Sequence, residues 1–132
     1  MKFTIPGEPT GKGRPRVTKW GTHTPEKTVL YENLVKLCYQ DQCKEYTEKP
    51  LVAHIEIYYS IPKSTPKKNI KPMLEGKIRP CKKPDIDNIC KIIFDALNGI
   101  AYKDDTQIVQ LHATKFYGET PHVFVTFREV TE

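Results

Sequence analysis

Residues 51–60 constrain the fold more than any other stretch of the chain. Leu51, Ala53, Ile55, Ile57 and Tyr59 alternate with Val52, His54, Glu56 and Tyr58. Successive side chains on a strand point to opposite faces, so this pattern gives a strand with one apolar side. That side must be covered by another layer. The rest of the chain supplies candidates. Residues 2–5 read as a short strand ended by Pro6 and Gly7, and 6–23, rich in Gly, Pro and basic residues, as a loop. Thr24 and Pro25 suit an N-cap followed by Pro at the first helical position. Leu30, Leu34, Leu37 and Cys38 then recur at helical spacing, which predicts the buried face of a helix that ends before Pro50. A second helix is expected from near Asp87 to Gly99, with Ile89, Ile92, Ile93, Ala96 and Leu97 facing the core. Two strands close the chain, about 107–116 and 122–129, with Gly118 and Pro121 in a connection that suits a hairpin. The order β-α-β-α-β-β predicts an α+β fold, a small mixed or antiparallel sheet packed with helices. A length of 132 residues suits one domain spanning 1–132 and a real hydrophobic core.

Charge is segregated along the chain. The net charge is +5, and residues 62–83 carry eight cations (Lys63, Lys67, Lys68, Lys71, Lys77, Arg79, Lys82 and Lys83) against one acid, Glu75. This Lys- and Pro-rich stretch shows no period and reads as a long mobile loop. Lys12, Arg14, Arg16 and Lys19 add a second basic segment, while acids gather at 26–48 and 85–105. Such segregation points to a polyanionic partner, against the plainer reading of a solvated face.

Several classes are set aside. No stretch approaches the ~20 apolar residues of a membrane span. Met1 to Pro9 contains no apolar leader core, so a cytoplasmic location is expected. Cys38, Cys43, Cys81 and Cys90 form no C-x-x-C pair and read as reduced thiols rather than zinc ligands. His54 and His112 read as partly buried strand residues, and Tyr58 and Tyr59 as sheet residues. Trp20, in the N-terminal basic loop, could equally stack on a base or pack on the domain.

The chemistry-bearing run is Lys83-Pro-Asp-Ile-Asp-Asn88, then Lys91, then Asp104-Asp105. If 85–87 is extended, Asp85 and Asp87 share one side and Ile86 points to the core. Two carboxylates joined by a third form an oxygen-rich site for a hard cation such as Mg²⁺. In phosphodiester hydrolysis such an ion activates water and stabilises charge on the attacking and leaving oxygens. The competing reading is structural: Asp before a helix is a common N-cap, and Asp104-Asp105 a common turn pair.

The motifs are more specific than D-x-D. Lys83-Pro-Asp-Ile-Asp-Asn-Ile-Cys-Lys-Ile-Ile-Phe-Asp-Ala-Leu-Asn-Gly99 followed by Asp104-Asp-Thr-Gln-Ile108, together with Ile5-Pro-Gly-Glu-Pro-Thr-Gly-Lys-Gly-Arg-Pro-Arg16, resembles the RusA family of Holliday junction resolvases over roughly residues 3–128. The resemblance implies a homodimeric Mg²⁺-dependent endonuclease, with Mn²⁺ as a substitute, that nicks opposing strands of a four-way DNA junction in recombination and repair. Members are frequent in phages and prophages. It implies Asp85, Asp87 and Asp105 as catalytic metal acids, Lys91 as the functional lysine and Asp104 as a helper. Lys12, Arg14, Arg16, Lys67, Lys68, Lys71, Lys82 and Lys83 are the expected DNA contacts. Asp95 is expected in a polar network, and Asn88 and Asn98 in side-chain to backbone bonds that hold the site loops. Two other readings stay open: a non-catalytic branched-DNA-binding module whose acids cap a helix, and a nickase of other branched DNA such as flaps. An RNA-directed role lacks any RNP-type aromatic motif.

Overall fold

A computed structural model describes residues 1–13, 16–19, 21–23 and 25–130; for Arg16, Thr18, Thr22 and His23 it describes the backbone alone. The alternating segment is β4, Leu51–Ser60, and it lies inside a four-stranded mixed sheet. Its neighbours are β6, His122–Glu129, antiparallel, and β5, Ile108–Gly118, parallel; β1, Lys2–Pro6, pairs antiparallel with β6 at the far edge. All five expected apolar residues of β4 are buried, alongside Phe3 and Ile5 of β1 and Val123, Val125 and Phe127 of β6. The expected hairpin between the last two strands does not form. β4 sits between β5 and β6, because each finds in β4 a more apolar partner than the other offers.

Two long helices cover this face. Helix α1 spans Glu26–Gln42 and α3 spans Ile86–Ala96; they pack on each other, α1 also on β1 and α3 on β5. The expected core residues of α3 are all buried. Gly99, just past its end, has a φ of +78°, the left-handed position glycine fills after a helix. α1 departs from expectation. Its buried face is Thr28, Tyr31, Val35 and Tyr39, whereas Leu30 and Leu37 are exposed and Leu34 and Cys38 lie half-buried at the core edge. The tyrosines bring more apolar area than the leucines, and Tyr39 donates its hydroxyl to the Glu45 carbonyl, so its polar tip is satisfied inside. Pro25 occupies the N-cap position rather than the first helical one, and Thr24 lies outside the described residues.

Both presumed loops contain structure. Within 6–23, β2, Arg16–Thr18, and β3, Gly21–His23, form a small antiparallel pair. Within 62–83, α2 runs Lys67–Leu74 and rests on β5. Pro72 inside α2 hides it from a propensity reading, since a proline removes one helical donor. Ile70, Met73 and Leu74 nevertheless keep helical spacing, and burial of Met73 holds this short helix down. The four cysteines are free thiols. No described helix is long and apolar enough to cross a membrane.

Candidate active site

The site begins where the basic segment enters α3. The Tyr59 hydroxyl donates to the Pro84 carbonyl at 2.6 Å, tying this entry to the centre of the sheet. Burial, reinforced by the negative charges of Asp85 and Glu8, pushes the Tyr59 phenol up to about 12, so it keeps the proton it donates. Lys115 crosses the same ring at 5.2 Å and donates to the Lys82 carbonyl at 2.9 Å. Asp85 is extended and forms the N-cap of α3, but its side chain makes no capping bond. Ile86 already opens the helix, so only Asp85 fulfils the expectation of an extended 85–87; Ile86 is half-buried against the core edge. Asp85 and Asp87 are both exposed, at a helix N-terminus whose dipole favours negative charge. With Arg79, Thr114 and Lys115 they line a cleft of ≈ 560 Å³ against β5.

The N-terminal motif packs directly on this element. The Lys12 amide donates to the Asn88 carbonyl at 3.0 Å, and the Gly13 amide to Thr28 Oγ1 at 3.0 Å. A Cβ on Gly11 would stand 3.0 Å from Pro84 Cβ and 3.1 Å from Asn88 Cβ, so glycine permits the approach. Lys12 Nζ lies 3.1 Å from Glu32 of α1 and 3.3 Å from Asp95 of α3. Burial alone would lower the Lys12 ammonium, but the two carboxylates outweigh it and raise its pKa. A second cleft, ≈ 610 Å³, opens between the two motifs beside Lys83, Asp85 and Asn88.

The third acid stands at the other end of α3. Asp105 starts a single turn of 3₁₀ helix, Asp105–Gln107, and donates its amide to Asn98 Oδ1 at 2.9 Å. Asp104 accepts from the Thr106 hydroxyl at 3.1 Å, and its amide donates to Gln107 Oε1 at 3.1 Å, so it builds the turn. Burial, then Asp104, then Asp95 hold the Asp105 carboxyl above the usual carboxylate range. Asp87, Lys91 and Asp95 follow at four-residue intervals along one face of α3. Lys91 pairs with Asp95 at 3.5 Å, not with Asp87, and stays exposed. Asp87 and Asp95 are separated by roughly 12 Å of helix rise, with Asp105 at the Asp95 end. Among the described residues no three His, Cys, Asp or Glu side chains stand close enough together to hold a metal ion. The structure therefore assembles the acids as a pair, Asp85 and Asp87, and a separate group around Asp105, with Lys91 between them. The Asp85–Asp87 pair still fits a hard cation in donor chemistry, because Mg²⁺ often takes one or two protein carboxylates and completes its shell with water and phosphate.

The chain matches the family model for endodeoxyribonuclease RusA over residues 6–128. It belongs to the RusA family. It is also similar to the uncharacterized protein YqaN of Bacillus subtilis (strain 168), 38% identical over 138 residues, covering 99% of this chain and 97% of that one. RusA nucleases are generally dependent on a divalent metal, and the family binds branched DNA junctions. In this RusA-family chain Lys67, Lys68 and Lys71 are exposed on α2, and Lys82 and Lys83 are exposed just before α3. Lys12 is instead engaged with Glu32 and Asp95. Arg14 and Trp20 lie outside the described residues, as does the side chain of Arg16. Asn98 holds the Asp105 loop as expected, and Asp95 joins the ion-pair network. Sequence reasoning passed over Glu32 and Lys115. Nothing local marks either, since each gains its partner only when distant elements meet. It also counted Arg79 as one of many cations, although Arg79 is fixed by bonds to the Gly76 and Lys115 carbonyls and stacked 4.5 Å above the Phe116 ring.

Proposed function

We propose that this RusA-family endodeoxyribonuclease is a Mg²⁺-dependent resolvase that nicks opposing strands of four-way DNA junctions as a homodimer, with Mn²⁺ as a substitute. The observation that supports this most is Asp85. A purely structural aspartate at an N-cap would accept a backbone N–H of the first turn. The Asp85 carboxylate makes no such bond and stands exposed with Asp87 in a cleft flanked by Arg79 and Lys115. Carboxylates beside fixed cations suit a site that receives both a metal ion and a phosphate. Asp85 and Asp87 would hold the metal, and Asp105, which stands apart at the far end of α3, would be the third acid that the family motif implies. The chemistry supplied by a bound divalent ion is a more acidic water and stabilised charge on the phosphodiester oxygens. Lys91, between the acids, would set an ammonium beside the scissile phosphate, where negative charge grows. Lys67, Lys68, Lys71, Lys82 and Lys83 would carry the phosphates of the arms.

The test is a comparison of binding and cleavage in single-acid variants. Asp85→Asn, Asp87→Asn and Asp105→Asn should each lose nicking while junction affinity holds or tightens. Wild-type nicking by any one of them removes that acid from the site. Binding without nicking in the wild-type protein, with or without Mg²⁺, would favour the non-catalytic module.

A further inference from the structure

Two ammoniums converge on one carboxylate oxygen. Lys12 Nζ lies 3.3 Å and Lys91 Nζ 3.5 Å from Asp95 Oδ2. The two are not equivalent. The Lys12 side chain is 22% exposed and that of Lys91 62%, so water screens the second pair far more than the first. Lys12 is also held through its backbone. Its amide is bonded to the Asn88 carbonyl of α3 and the next amide to Thr28 of α1, while Gly11 before it lies against Pro84 and Asn88. The stem therefore enters where α1 packs on α3, and the ammonium closes on Glu32 at 3.1 Å as well as on Asp95. Like charges on one oxygen repel, so the held Lys12 weakens the grip of Asp95 on Lys91. The 3.5 Å separation agrees, being longer than the about 2.7–2.9 Å of a charge-assisted hydrogen bond.

We propose that Lys12 is a positioning residue: by occupying Asp95 it leaves the Lys91 ammonium free to turn toward a phosphate at the Asp87 end of α3. The inference rests on the nuclease reading above and concerns how the lysine of that site is released. Lys91 stands four residues from Asp87 and four from Asp95 on one helix face, so its flexible stem can serve either end. With the Lys12 charge removed, the half-buried Asp95 keeps Lys91 as its ion-pair partner among the described residues, and that pair tightens. The Asp87 end then loses its ammonium. The loss falls on the chemical step rather than on junction affinity, because the Lys12 ammonium is engaged by two carboxylates of the fold. A plain brace between α1 and α3 would behave differently. Its removal would lower stability and leave Lys91 as it is.

The experiment joins two measurements. One is single-turnover cleavage of a synthetic four-way junction at saturating enzyme. The other is acetylation of the free protein by an N-hydroxysuccinimide ester, with Lys91 followed by mass spectrometry. Lys12→Met keeps the stem and removes the charge. It should slow the chemical step by ~10-fold and leave junction affinity within about threefold of wild type. Lys91 acetylation should fall several-fold, since a tightened ion pair withholds the amine. Lys12→Met/Asp95→Asn should recover both readings. Lys12→Arg, which still offers a cation to both carboxylates, should restore most of the rate. In a Lys91→Ala background, Lys12→Met should add no further loss. Lys12→Met/Glu32→Gln, with no stranded carboxylate on α1, takes the place of Lys12→Met if that variant melts below the assay temperature. Lys91 acetylation unchanged by Lys12→Met overturns the proposal. So does a loss that persists in Lys12→Met/Asp95→Asn, adds fully to that of Lys91→Ala, or appears as weaker junction binding. The expected acetylation pattern in a protein that does not nick would uphold the release of Lys91 and sink the nuclease reading. Nicking with Lys91 acetylation indifferent to Lys12 would do the reverse.

Discussion

Replacing Lys91 by Ala separates catalysis from packing, and the structure sets the size of both effects. Lys91 is 62% exposed, and its one ion-pair partner among the described residues is Asp95 at 3.5 Å. An exposed pair of this kind contributes ~0.3–0.5 kcal/mol. Asp95 keeps its second partner, Lys12, at 3.3 Å, so no carboxylate is left stranded. The variant should therefore melt within a few degrees of wild type, on the order of 0.5 kcal/mol or less. Its chemical step should behave differently. An ammonium placed where charge develops on the phosphate stabilises the transition state more than the bound ground state. Deleting one such stabiliser typically slows the step by ~10²-fold, about 2.7 kcal/mol of barrier. Lys91→Arg should rescue only part of this, because a planar fork does not reproduce a compact ammonium. Single-turnover cleavage at saturating enzyme, together with a thermal melt, reads both quantities. A rate within about threefold of wild type for Lys91→Ala would refute the catalytic role and leave a surface pair.

Four further outcomes follow from the same geometry. Gly11→Ala should destabilise the protein by ~1–3 kcal/mol, measured by denaturant melts, because the new methyl meets Pro84 and Asn88 at 3.0 and 3.1 Å. Asp105→Asn should raise the melting temperature even as it abolishes nicking. The folded-state pKa of Asp105 is raised, so the fold disfavours its ionised form relative to the unfolded chain; its contribution is most favourable below the ordinary aspartate range and is lost as pH rises through its raised value, and a neutral Asn removes that pH dependence. Adding Mg²⁺ should raise the melting temperature of the wild-type protein, and Asp85→Asn/Asp87→Asn should abolish the shift. Removing Lys67, Lys68 and Lys71 together should flatten the salt dependence of junction binding by up to ~0.9 in log–log slope per lost phosphate contact, as read from affinity titrations at several salt concentrations.

How far the sequence carried depended on whether a pattern had one physical solution. The alternation of 51–60 admitted only a half-buried strand, and the broad Ile89–Leu97 face admitted only a core helix; both were legible. On α1, Leu30-Leu34-Leu37 and Tyr31-Val35-Tyr39 satisfy the same period, and only packing against α3 and β1 decides between them. Pro72 masked α2, a helix held by tertiary contact rather than propensity. The insertion of β4 between β5 and β6 is a long-range pairing that no local turn signal encodes. At the candidate site, the family resemblance singled out Asp85, Asp87, Lys91 and Asp105, but their division along α3 shows only in the structure, where the helix begins at Ile86. The Lys12 bridge to Glu32 and Asp95 likewise appears only once three distant segments meet.

The central claim is best tested by incubating the wild-type protein with a synthetic four-way junction, each strand labelled in turn, with and without Mg²⁺. The account predicts metal-dependent nicks at symmetric positions in two opposing strands, and intact DNA when the metal is chelated. Nicks confined to one strand, equal cleavage of flaps and junctions, or cleavage unchanged by chelation would contradict it.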